Sequence, residues 1–380
     1  MNKPYEKETY FALTLDPVHV GTGGYRLGRV DNTITREPGT NLPKIPGTGI
    51  SGVARAFTAM AIQNNTDMSK LTYKTKNGLL AIDEVEYKKM KYLRPEYVFN
   101  TTTDPDNPSN KIVKTVDTTT PEVKRDKKGK EMYDSCAGKG GEKGERHCGE
   151  PDCEVCVAYG FSKDGNSFQG MAQFFDARIL FFPVYSMIGP VWVTSESIMR
   201  EFNIADATLT DKERFRRFNA SPQIPEGKLN LGWLMLEREA GEFNITDKFT
   251  SVPEEITNRL VLVSDKLFSR IVNDNLEVRT SVAINPATGA AEDGALYTYE
   301  AIPRATVLWF DVVYNKPENF RINGKEIMKD IPPTKADWEW IRGNVEKGLK
   351  LIEFMGVGGM NTRGVGRMRI SGGGINGKQS

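Results

Sequence analysis

Two stretches of this 380-residue chain hold residue types at spacings that could do chemistry. In the first, His147-Cys148 is followed by Cys153 and Cys156, and Cys136 lies eleven residues before the histidine. Zinc takes four sulfur or nitrogen ligands in a tetrahedron, and a C-x-x-C turn offers two thiolates to one ion. Cys148, Cys153 and Cys156, completed by His147 or by Cys136, predict a closed, structural zinc site. The spacing implies no catalytic carboxylate or open coordination position there. Four cysteines with three of them crowded together argue for a metal rather than a disulfide framework. The second stretch runs from His19 to Arg55, where the turns GTGG and IPGTGISG flank a loop with one carboxylate, Asp31, among Arg26, Arg29, Arg36 and Lys44. Glycines such as Gly23 permit close backbone approach to a partner. Ser51 and a helix start near Gly49 would offer free N–H groups to an anion. A plain solvated loop has this composition. So does a phosphate cradle with one carboxylate aimed at a scissile bond.

The rest of the composition narrows the chemistry. A net charge of +1 carries no global nucleic-acid signal, so any basic surface must be local. Arg26 breaks the G-x-G-x-x-G dinucleotide pattern, and no Lys-Ser/Thr follows either glycine turn to make a phosphate loop. There is no G-x-S-x-G and only two histidines, which disfavours a protease or esterase. No charged-then-apolar segment precedes the first strand signal, and the longest apolar run is broken by Arg178, Pro183, Ser186 and Pro190. A cytoplasmic protein without a membrane segment is expected.

Several elements must position these residues. Residues 8–15 alternate as a strand, and 52–63 read as a helix with Arg55 near its start. Residues 64–146 are polar and weakly patterned, which suggests an insertion, partly mobile. Residues 174–182 read as a buried strand carrying Asp176 and Arg178, for which a mutual surface pair is the default. Residues 206–250 suggest helical pieces and a hairpin anchored by Trp233 and Leu234. Residues 260–263 predict a core strand before a helix. Residues 277–303 predict a long hairpin with Arg279 on its first strand and Asn285–Gly289 as its turn. A last helix, capped by Thr334, buries Trp338, Ile341, Val345, Leu349 and Ile352 and stops at Gly356. The glycine-rich GVGGMNTRGVGRMRI, with Arg363, follows. Alternation of this kind allows a βαββαβ sheet, a common RNA platform.

Five phrases carry a family resemblance in chain order: GTGGYRLGRVDNTITRE with PKIPGTGISGVAR, FFDARILFFPVYSMIGPVWVT, LVLVSDKLF, EVRTSVAINPATGAAEDGALYTYEAIP and GVGGMNTRGVGRMRI. They resemble the RAMP proteins that form the backbone of type III CRISPR effector complexes, closest to the Cmr branch. HCGEPDCEVC is similar to the zinc-binding insertion of the Csm-branch backbone subunit. The resemblance implies an α+β fold: a ferredoxin-like βαββαβ palm in a single RAMP domain over 1–380. It also implies an insertion over 65–160 ending in the zinc segment, a mainly helical insertion over 195–250 and a thumb hairpin over 277–303. The implied partners are CRISPR RNA, target RNA, further copies of the chain and other effector subunits.

The implied activity is endonuclease cleavage of target RNA at regular intervals by 2′-OH attack, with Mg²⁺ or another divalent cation, in antiviral defence. Asp31, in the setting Gly28 to Arg36-Glu37, inherits the cutting role. Gly23, Arg26, Arg29, Arg36, Lys44, Ser51, Arg55, Arg279 and Arg363 are the implied RNA contacts. A non-cleaving guide-RNA filament subunit is the alternative. A stand-alone processing enzyme would have only His19 as its base.

Overall fold

A computed structural model describes residues 3–22, 30–64, 73–76, 79–82, 89–95, 100–102, 113–116, 123–138, 147–163, 165–218, 224, 226–243, 245, 249–292, 296–327 and 337–372. Gly23, Arg26, Arg29 and Thr334 lie outside these residues. The chain divides into two compact units. The first comprises Lys7–Ile50, Phe174–Val312 and Lys350–Ser380, and the second Met1–Glu6, Ser51–Gln173 and Val313–Leu349.

The elements used below are, in chain order, β1 (Tyr5–Thr14), α1 (Gly47–Asn64), α2 (Glu154–Tyr159), β2 (Ala177–Ser186), β3 (Gly189–Ser195) and α3 (Glu196–Glu201). There follow β4 (Phe215–Phe218), β5 (Lys228–Leu231), β6 (Leu234–Phe243), β7 (Leu260–Val263), α4 (Asp265–Asp274), β8 (Glu277–Ser281) and β9 (Tyr297–Ala301). The last are β10 (Val307–Asn315), α5 (Asp337–Met355) and β11 (Met368–Ser371). The fold is mixed α+β.

In the first unit a mixed sheet runs in the spatial order β5-β6-β4-β7-β3-β2-β10-β1-β11. β11 pairs antiparallel with β1, Phe11 opposite Ser371, and β2 pairs antiparallel with β10. The first and last labelled strands thus lie side by side. β2 buries residues of both parities, Ile179 to Phe182 in succession, because it is an interior strand with side chains packed on both faces. Phe11, Phe181, Phe202, Phe249 and Trp309 stack edge-to-face as the aromatic part of this core. β7 is buried throughout, and Ser264 caps α4 by accepting the Leu267 N–H.

The region 195–250 differs from the helical expectation. Apart from the single-turn α3 it holds β4, β5 and β6, with β5 and β6 forming an antiparallel hairpin. Arg217 on β4 pairs with Glu242 on β6, and Arg214 just before β4 pairs with Glu237 on β6, so a charged sequence suits a strand here. Trp233 at the hairpin tip is 91% exposed and anchors nothing.

In the second unit Ile341, Val345 and Leu349 line the buried face of α5 with no exposure. Thr58 of α1 donates to the Asn344 carbonyl and lies 2.9 Å from the Tyr159 hydroxyl. Parts of the expected insertion form a four-stranded antiparallel sheet, Tyr73–Lys76, Leu79–Ile82, Val113–Val116 and Asn100–Thr102.

Candidate functional site

The first glycine stretch follows β1. Val18 bridges to Ile302, and the buried His19 ring places Nδ1 2.6 Å from the Glu300 carbonyl with Tyr299 edge-on at 5.4 Å. The His19 carbonyl accepts the Gly359 N–H, and Gly358 (φ +83) has no room for a Cβ against it. The second glycine turn, 356–366, is therefore a packing partner of the first. A close approach of two backbones explains Gly358 without a ligand.

Asp31 is exposed at the root of the hairpin β8–β9. Its Oδ2 accepts from the Thr298 N–H at 2.7 Å and from the Thr298 hydroxyl at 2.9 Å. Asn32 continues the junction, donating to the Thr298 carbonyl and accepting from the Glu300 N–H. These bonds, the Thr298 N–H first, hold the Asp31 carboxyl below its ordinary value, so it is ionised at neutral pH. The hairpin beyond follows expectation: Asn285 accepts from Gly289, Gly289 takes φ +67, and Val278, Val282, Ile284 and Leu296 are exposed along the arm.

The cations named from the sequence divide in two. Arg36 pairs with Glu300 at 2.9 Å and bonds Asn273, both partners being largely buried. Lys44 bridges Glu37 and Asp176, and those carboxylates, Asp176 first, raise its pKa. Arg55 donates to the carbonyls of Cys136 and Gly160 at 2.6 and 2.8 Å. Lys44 and Arg55, named as RNA contacts by the family resemblance, thus have protein partners, and Arg36 sits in a pair beneath the loop. Arg279 pairs with Glu277, and the exposed Arg363 donates to the Tyr297 hydroxyl at 2.6 Å and to Ser281. Arg279 and Arg363 thus flank the hairpin root.

The expected anion site at the start of α1 is filled. The helix begins at Gly47, whose N–H donates to Asp176 at 2.8 Å, so Ser51 lies one turn inside it. Nor do Asp176 and Arg178 pair with each other. Arg178 bonds both oxygens of Glu201 and lies 4.2 Å over the Trp309 ring.

The sulfur atoms of Cys136, Cys148, Cys153 and Cys156 all lie within 4.8 Å of one another. Cys148 and Cys156 are 3.7 Å apart, and a zinc tetrahedron with ~2.3 Å bonds has sulfur edges of roughly 3.8 Å. Cys153 caps α2, accepting the Cys156 N–H. His147 stands outside the cluster, its Nε2 at 2.5 Å from the Gly138 carbonyl and Nδ1 at 3.3 Å from the Ser162 carbonyl, and burial lowers its pKa. The fourth sulfur is therefore Cys136, one of the two completions that the spacing leaves open. Neighbouring thiols, Cys136 first, pull the Cys148 pKa far down, while burial pushes that of Cys153 far up. Burial works against the charge of Lys91, but Cys153, Cys148 and Cys136 outweigh it and raise the lysine's pKa. A buried ammonium suits the negative charge of a four-thiolate centre. Among the described residues no helix is long and apolar enough to cross a membrane.

The sequence profile of the RAMP superfamily matches residues 12–369. The chain is similar to the CRISPR system Cmr endoribonuclease Cmr4 of Pyrococcus furiosus, with 25% identity over 181 residues. That match takes in 43% of this chain and spans 60% of the relative's length. Among solved structures the chain is similar to one in the type III-B Cmr-beta complex in its apo state, with TM-score 0.51, 12% identity and 96% of each chain covered. It is also similar to a chain of Cmr-beta bound to cognate target RNA, with TM-score 0.52, 12% identity, and 97% of this chain and 98% of that one covered. At such identity the likeness is one of fold.

Proposed function

The chain belongs to the RAMP superfamily, and from that premise we propose that it is a guide-RNA-binding backbone subunit of a type III CRISPR effector complex that cuts complementary target RNA. Cutting is assigned to Asp31. The observation that carries this reading is the Asp31 carboxylate, held ionised in the loop after β1 at the root of the β8–β9 hairpin. Four strands support a ferredoxin-like palm: β1 and β10 central, β2 and β11 flanking, with α1 and α5 at the two crossovers in chain order. The β8–β9 arm serves as the thumb. Further copies of the chain, other effector subunits, CRISPR RNA and target RNA are its partners.

The chemistry asked of the protein is modest, because RNA brings its own nucleophile. The 2′-OH attacks the adjacent phosphorus, its proton passes to a base, and the P–O5′ bond breaks. The 5′ oxygen takes up a proton, leaving a 5′-OH and a 2′,3′-cyclic phosphate. Asp31 orients the hydroxyl and accepts its hydrogen bond, and holding the nucleotide in line supplies most of the acceleration. Among the described residues Asp31 belongs to no group of three or more metal-ligating side chains. Mg²⁺ commonly uses one carboxylate together with substrate phosphates, so Asp31 would be its protein ligand, and the ion would supply charge stabilisation. Phosphate contacts fall to Arg363 and Arg279 beside the root, with Arg36 holding the loop from beneath. The four-cysteine cluster holds a structural zinc.

The test is Asp31→Ala in an assembled complex with complementary RNA. Binding of guide and target is retained, and cleavage falls by roughly 10²-fold or more. Undiminished cutting by the variant refutes the assignment, and an unmodified protein that binds without cutting is the filament subunit alone.

A further inference from the structure

Asp31 reaches its position through another residue, 267 positions along the chain. Thr298 on β9 places two donors on one carboxylate oxygen, its N–H at 2.7 Å and its Oγ1 at 2.9 Å from Asp31 Oδ2. The same Oγ1 lies 3.2 Å from the Asp31 N–H, which donates to it. A hydroxyl has one proton to give and lone pairs to receive, so both bonds coexist and close a ring around the Asp31 side chain. The main-chain bonds of Asn32 to Thr298 and Glu300 lay the loop alongside β9 as a one-residue parallel pairing.

Two donors on Oδ2 fix the rotation of the carboxylate. Among the described residues no hydrogen bond reaches Oδ1, which is left as the oxygen available to an incoming group. Tyr297 and Tyr299, the neighbours of Thr298 on β9, carry their rings 6.3 Å apart, as residues on one face of a strand do, and Thr298 lies on the other face with Asp31.

We propose that Thr298 is the positioning residue of the cleavage site: its hydroxyl orients Asp31 so that Oδ1 meets the 2′-OH, tying cutting geometry to the seating of the hairpin. This rests on the assignment of Asp31 above. It adds that the hairpin completes the site as well as contacting RNA. Removing the hydroxyl leaves the Thr298 N–H in place, so the fold and the loop pairing persist while the carboxylate gains freedom to turn.

The experiment compares Thr298→Val, Thr298→Ser and Asp31→Ala in assembled complexes with a complementary RNA, measuring single-turnover cleavage and target affinity separately. Thr298→Val should lose roughly 10- to 100-fold in the cleavage rate with target affinity unchanged, the scale expected of a misplaced catalytic group. Thr298→Ser, which restores the hydroxyl, should cut within about 3-fold of the unmodified complex, a change of about 0.6 kcal/mol in the barrier. Thr298→Val cutting at the unmodified rate beside an inactive Asp31→Ala overturns the positioning role and spares the Asp31 assignment. Thr298→Ser as slow as Thr298→Val also overturns it, since the strand rather than the hydroxyl would then be at fault. An active Asp31→Ala overturns the assignment of Asp31 and the positioning role together.

Discussion

Two glycines on one helix make a controlled test of the packing that holds α1. A Cβ built at Gly348 of α5 falls closer to the Ala54 carbonyl oxygen and Thr58 Oγ1 than real Cβ atoms come. Neither neighbour can yield. Ala54 contributes backbone inside α1, and Thr58 Oγ1 is committed to the Asn344 carbonyl and the Tyr159 hydroxyl. At Gly343, five residues earlier, nothing lies within 4 Å of the built Cβ. Alanine gains about 1 kcal/mol over glycine inside a helix, and this term applies at both sites. Overpacking costs about 1–3 kcal/mol, and the upper end applies where the obstacle is backbone. Gly343→Ala should therefore stabilise by about 1 kcal/mol, and Gly348→Ala should destabilise by about 2 kcal/mol. The same substitution on one helix changes sign. Urea denaturation reads the difference as opposite shifts in midpoint at unchanged slope. Shifts in the same direction would refute the claim that α1 and α5 meet through Gly348.

Other outcomes follow from the remaining contacts. Purified protein should carry about one zinc per chain; Cys136→Ser should lose it and His147→Ala should keep it, as metal analysis would show. Arg55→Met should cost about 2 kcal/mol of stability by leaving two carbonyls unpaired while RNA affinity stays the same. A loss of RNA affinity at unchanged stability would restore Arg55 to the RNA surface. Burial raises the Asp265 carboxyl pKa, but hydrogen bonds from Ser197 and Ser195 outweigh it and hold the group below 3.8. Its contribution is therefore complete above that pH and lost as pH falls through the folded value, so Asp265→Asn should flatten the acid end of a stability–pH curve.

Local signals reached far into this fold. The buried face of α5, the all-apolar β7, and the Asn285–Gly289 turn could be read from spacing alone, since each is set within one or two turns of chain. β4 and β6 misled because their charges are satisfied by neighbouring strands, which periodicity cannot reveal. Cys136 was an alternative rather than a choice because its distance from the C-x4-C-x2-C run breaks a local motif and is closed only by folding. Asp31 was singled out by its cationic loop and the family phrases, and its role is the proposal that the variants above test. Thr298 carried no signal: a threonine in a strand is unremarkable until another part of the chain leans on it. The partners of Arg55 were hidden for the converse reason, since a charge near a glycine turn looks free until the carbonyls it serves are seen.

The separation between Asp31 and Thr298 also has a meaning in time. A ribosome adding about 5–20 residues per second needs roughly 13–53 s to travel the 267 positions between them. β1 waits longer still for β11, which holds its edge from Phe11 to Thr14. The emerging chain therefore presents Asp31 long before its hydrogen-bond partner Thr298 exists, and the junction between them can assemble only after β9 has been made.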